Sequence, residues 1–234
     1  MSQPEYGETW VYEGIVGAVP GIDLTQRVAL VLQFLLFESA VLLLGWYYNR
    51  WSAVVAGTVA VIVTTVGSAQ MVRIARRIRG ERIPVSYRKF LFASNIEVVL
   101  TVFAFSALIT YLFAFDRSLI ESLLGTDQPA PAVYLFLIII WDVCYRIGAA
   151  WWSSVAGLWR SVQHRFDGET RQNLRRADME TAAFGLVQLA FVPFLLDEPL
   201  LLGLLVGHVC AVLIVTALAI VLCRPPERHP TASL

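Results

Sequence analysis

Four ionisable residues fall inside otherwise apolar stretches of the sequence: Glu38, Glu97, Asp142 and Arg146. His208 is a fifth titratable group in such a stretch. An unpaired charge at bilayer depth costs about 2.5–3.5 kcal/mol or more, so these groups are expected to face the inside of a helix bundle. Asp142 and Arg146 are four residues apart, the spacing of a side-chain pair on one helix. Ser94, Glu97 and Thr101 share one helical face, and a Glu97–Arg146 contact between helices is sterically open. Three carboxylates against one guanidinium leave a negative surplus that a dry interior does not hold. A protonated carboxyl, a bound cation or entering water would relieve it.

Three functions fit these residues. A small transporter or channel would handle protons or cations through the carboxylate cluster. A structural or accessory membrane protein would use its Asp/Glu–Arg pairs only to fix helix packing. An intramembrane hydrolase or transferase would draw on Asp142, Glu38 and His208. The enzyme reading is the thinnest, because no HExxH, GxSxG, Walker loop or paired-cysteine motif occurs. The sequence calls for no metal and no cofactor. Cys144, Cys210 and Cys223 all lie in apolar runs and read as small buried hydrophobes without a disulfide. A water-accessible cavity reaching Glu38, Glu97 or Asp142 would favour transport, and a dry, paired cluster would favour the structural role.

The elements that must position these groups are all α-helical. The chain has 234 residues, 57% hydrophobic and 15% charged, with the charges gathered between long apolar runs. A run of roughly 20 helical residues spans about 30 Å of hydrocarbon. Six such runs are expected, at 28–48, 52–74, 90–115, 131–159, 181–196 and 200–223, forming one polytopic bundle over 27–223. Pro193 should kink the fifth, and Asp167 or Thr170 should cap its start. Residues 1–26 hold four acidic residues and no basic one, the wrong charge for a signal peptide. Within them, 10–22 reads as an interfacial or re-entrant segment or a plain tail. Residues 224–234 read as a polar tail.

Orientation follows from the basic residues. Of eighteen, fifteen fall at residue 27 and in 73–89, 160–180 and 224–234. Only Arg50 and Arg117 lie in the alternate connections, and Arg146 lies within a span. The positive-inside rule then puts both termini in the cytoplasm, in a cell-membrane protein. Trp46, Tyr47, Tyr48 and Trp51 cluster at one headgroup level, and Trp151, Trp152 and Trp159 at the other. The net formal charge is zero, which gives no reason to expect nucleic acid. The partner is the lipid bilayer.

Membrane helices associate through small residues that let backbones approach. Gly203, Gly207 and Ala211 recur at four-residue spacing. Ala53, Ala56, Gly57, Ala60, Thr64, Gly67 and Ser68 form another stripe, and Ala149, Ser153, Ala156 and Gly157 a third. These are expected to meet other helices of the same chain, with a homo-oligomer as the alternative use.

The segments GETWVYEGIVGAVPG (7–21), WDVCYRIGAAWW (141–152) and LWRSVQHRF (158–166) resemble haloarchaeal multi-pass membrane proteins of unknown function. That resemblance implies a plasma-membrane location and an archaeal source, and it carries no site with it.

Overall fold

A computed structural model describes residue 10 and residues 25–225 of the protein. Among them the order is α1 Gln26–Tyr47, α2 Trp51–Arg79, α3 Val85–Phe92 and α4 Ile96–Thr110, the last ending in a π turn, Tyr111–Phe115. Then come α5 Ser118–Leu124, α6 Ala130–Gln163, α7 Gly168–Val187 with a 3₁₀ extension Gln188–Phe194, and α8 Pro199–Leu222. The described residues contain no strand.

Five stretches are long and apolar enough to cross a membrane: Gln26–Tyr47, Trp51–Arg79, Val85–Phe115, Ala130–Gln163 and Pro199–Leu222. Their outward surfaces are greasy, with Leu36 69%, Phe103 70% and Leu204 62% exposed. Apolar surface of that extent is stable against lipid and not against water. The chain is therefore membrane-embedded.

The expected sixth span, 181–196, is not among these five. The first fourteen of the twenty residues of α7, GETRQNLRRADMET, are rich in charge, and only its last turns are apolar. From Thr181 the chain makes two α turns to Val187 and then winds tighter, as 3₁₀ helix around Pro193. At about 1.5 and 2.0 Å per residue this apolar part reaches about 25 Å, short of a full hydrocarbon core. The segment nonetheless runs from one end of the bundle to the other. Asn173 Nδ2 donates to Glu81 Oε1 at one end, and Glu198 meets Ser118 at the opposite end.

The third expected span, 90–115, is not one helix. It breaks at Ala93–Asn95, where Asn95 takes φ 54°, a left-handed conformation that ends α3 before α4 begins. The connection expected over 116–130 contains the short helix α5. At the start of α7 the cap is Asp167, whose carboxylate accepts the Thr170 N–H at 2.9 Å.

Hydrogen bonds define the two ends of the bundle. At the arginine-rich end Arg77 Nε pairs with Glu180 at 2.9 Å, and Arg175 donates to the carbonyls of Ile220 and Cys223. At the arginine-poor end Arg50, in the turn after α1, packs on Gly125 of the loop after α5, and Glu198, before α8, meets Ser118 at the start of α5. The arginine-rich half is densely filled: Met71, Ile74, Ile78, Tyr87, Phe92, Trp152, Leu174 and Phe184 form one buried cluster. The N-terminal segment expected at 10–22 lies outside the described residues except for Trp10, and the polar tail expected at 224–234 lies outside them beyond residue 225. The Trp10 ring is buried in the same cluster, edge-on to Phe92 at 5.1 Å.

Candidate functional site: a polar core beneath an apolar cavity

The ionisable residues of the spans occupy three separate places. On α6, Arg146 Nη2 donates to Asp142 Oδ1 at 2.8 Å. Gln33 of α1 donates to the other Asp142 oxygen at 3.2 Å. Arg146 is 1% exposed, reaches Met71 Sδ at 3.3 Å and lies over the Tyr145 ring. This group ties α1, α2 and α6 together. Glu38 sits apart on α1, half-buried, accepting the Thr58 hydroxyl of α2 at 2.8 Å.

Glu97 stands by itself in the first turn of α4, completely buried. Neither carboxylate oxygen has a hydrogen-bond partner among the described residues. Arg146 does not pair with it, so the Glu97–Arg146 contact is not formed. What holds Glu97 in place is its backbone. Its carbonyl accepts the Thr101 hydroxyl at 2.6 Å, and Gly148 of α6 lies directly against the same carbonyl.

A fourth charged group lies in 160–180, which the sequence marks only as a charged segment. Arg160, near the end of α6, has no exposed surface. Its Nη2 donates to Asp178 Oδ2 of α7 at 2.6 Å, and its Nη1 to the Tyr87 hydroxyl of α3 at 3.3 Å. The guanidinium also stacks over the Tyr87 ring at 5.4 Å. The helix α6 has 34 residues, about 51 Å of rise, so it carries Arg160 beyond the hydrocarbon. The clue in the sequence was register. Arg160 follows Ser153 and Gly157 by seven and three residues, on the small-residue face that turns inward. A Cβ on Gly157 would meet Asp178 Oδ1 at 2.9 Å, so the glycine makes room for the ion pair.

The arginine-poor half holds a half-open cavity of about 630 Å³. Its walls come from α1, α2, α4, α5, α6, the 3₁₀ segment and α8, and they are almost wholly hydrocarbon. Ala56, Ala104, Leu108, Phe136, Phe191 and Leu201 are typical. The polar members are Tyr48, Arg50, Tyr111 and His208, and Cys144 lies in the floor. Glu38, Glu97 and Asp142 are not in the lining, so this cavity is not the carboxylate-lined path expected of a transporter. His208 is half-buried, its Nε2 has no partner among the described residues, and its ring faces Trp151 at 6.4 Å.

The rim also holds a small polar knot. The Ser118 hydroxyl lies 2.5 Å from both Asp116 Oδ1 and Glu198 Oε1, and Tyr111 Oη is 3.4 Å from Asp116. The hydroxyl and backbone N–H of Ser118 hold the Asp116 carboxyl below its usual range.

The small-residue stripes divide by depth. Gly57 packs under Val41 of α1, and Gly67 under Phe184 and Arg146. Ala53, Ala56, Gly57 and Ala60 border the cavity. Among the described residues nothing lies within 4 Å of a Cβ added at Gly203 or Gly207, and Ala211 is half-buried. The expected intrachain contact is therefore absent at both glycines. Their side of α8 faces outward because the 3₁₀ segment and α6 engage its other faces.

No curated protein and no solved structure matches the chain. The family of unknown function DUF7530 matches residues 5–219, nearly the full length, and the chain belongs to that family.

Proposed function

We propose that the protein is a membrane-embedded receptacle for the hydrocarbon chain of an amphiphile, and that its buried ion pairs serve to fix helix register. The observation that carries this is the cavity: about 630 Å³, walled by alkyl and aromatic side chains. That volume lies within the range of about 300–1,000 Å³ found for ligand sites. A polar solute or hydrated ion gains nothing from such walls, whereas an alkyl chain gains dispersion contacts with every one of them. The paired arrangement of Asp142 with Arg146 and Gln33 supports the register role for the charges.

Protein purified in mild detergent is expected to retain a long-chain amphiphile, identified by mass spectrometry of an organic extract. Ala56→Phe with Ala104→Phe fills the void from two walls. The double variant should keep its thermal unfolding and lose retained amphiphile on the order of tenfold, about 1.4 kcal/mol. Wild-type protein that holds no amphiphile, or a filled variant that holds as much, would sink the reading.

Proton passage is the second reading, and the bare Glu97 carboxyl is what favours it. Reconstituted liposomes would then acidify faster than empty ones, and Glu97→Gln with Asp142→Asn would abolish the difference. Equal rates for wild type and double variant count against it.

A further inference from the structure

We infer that the guest of the cavity is an anionic phospholipid whose phosphate is gripped by Arg50; this rests on the cavity reading above. Arg50 precedes α2 at the arginine-poor end and is half-buried in the cavity lining. Its guanidinium packs closely against Gly125 in the loop after α5. A Cβ on Gly125 would stand 2.0 Å from Arg50 Nη2 and 2.5 Å from Cζ. Gly125 takes φ +84°, open to glycine and strained for other residues, so the loop holds both its shape and its contact with Arg50 only as glycine.

Among the described residues Arg50 makes no ion pair, and the cavity lining holds no aspartate or glutamate. Asp116 and Glu198 of the rim meet Ser118, and Asp127, in the same loop as Gly125, forms no ion pair with Arg50. Arg117, the other basic residue of these connections, points away and donates to the Phe113 carbonyl at 2.9 Å. The start of α2 adds to the positive field. Its N-cap makes no side-chain hydrogen bond to the first turn, the helix dipole is positive there, and Ala53 of that turn borders the cavity. A guanidinium binds phosphate through paired N–H donors. An uncountered arginine at headgroup level, above an apolar chamber, matches a molecule with a phosphate at one end and acyl chains at the other. A zwitterionic head brings its own ammonium to the same place, where Arg50 and the α2 terminus repel it.

The test offers the detergent-purified full chain an equimolar mixture of phosphatidylglycerol and phosphatidylcholine with matched acyl chains, and native mass spectrometry counts the lipid retained. Wild type is expected to prefer phosphatidylglycerol about tenfold, about 1.4 kcal/mol, because both heads offer the phosphate but only phosphatidylcholine brings an ammonium against Arg50. Arg50→Gln should bring the two lipids near parity while total lipid bound persists, and Arg50→Lys should recover part of the preference. Parity or a phosphatidylcholine preference in wild type overturns the inference, as does an undiminished preference in Arg50→Gln. If lipid still binds and still falls with the two cavity-filling phenylalanines, only the headgroup assignment is lost. If wild type retains neither lipid, the cavity reading falls as well.

Discussion

Arg160→Met is expected to destabilise the detergent-solubilised protein by about 3–5 kcal/mol, the cost of stranding a buried charge. For a chain of this size that lowers the unfolding temperature on the order of 10 °C. The substitution removes the 2.6 Å contact to Asp178, the bond to the Tyr87 hydroxyl and the stacking on its ring. Asp178 is 5% exposed, so its carboxylate is left without water or a partner in the same place. Methionine keeps most of the volume, which confines the loss to electrostatics. Arg160→Met combined with Asp178→Leu should recover most of the stability, because two apolar side chains of similar size suit that dense setting. Differential scanning fluorimetry of both variants checks this. A single variant within about 1 kcal/mol of wild type, or a double variant no better than the single, would show that the pair is not structural.

Gly148→Val is expected to cost about 3 kcal/mol, the upper part of the usual range for overpacking. A Cβ at Gly148 would stand 2.9 Å from the Glu97 carbonyl oxygen, 3.1 Å from Thr101 Oγ1 and 3.3 Å from the Thr101 nitrogen. Two of those three atoms are backbone, so no rotamer change relieves the clash and α4 must move away from α6. The movement also opens the burial around the Glu97 side chain. Trp141 of α6 rests edge-on to Phe105 of α4 at 5.3 Å, so its fluorescence reports the separation. Unchanged emission and unchanged unfolding in the Gly148→Val variant would mean the helices do not approach as described.

The spans were legible because a run of apolar residues long enough to cross lipid has few other uses. What stayed hidden depended on single backbone angles and on where helices stop. The break between α3 and α4 rests on Asn95, which with Ser94 and Glu97 interrupts an apolar stretch; asparagine tolerates a positive φ, but its type alone does not say that it adopts one. Asp142 and Arg146 were readable as a pair because both lie on one helix. A Glu97–Arg146 contact is only sterically open from sequence, because spacing does not fix distances across helices. Arg160 counts from sequence only among the basic residues of 160–180, because charge alone does not tell a solvated arginine from one carried inward by a helix that overshoots. The cavity was the hardest to see. Ala53, Ala56 and Ala60 promise close helix contact, yet here the same missing volume leaves a chamber, since the facing positions Ala104 and Ala107 are small too.

The contrast between a solidly filled arginine-rich half and a hollow opposite half has a mechanical consequence. Hydrostatic pressure acts on void volume. The end that holds Arg160 and its aromatic neighbours should behave as an incompressible footing, while the chambered end yields first and recovers elastically. Swelling or shrinking of the chamber around a guest would then be taken up by the turns near Arg50 and Gly125, leaving the footing at rest.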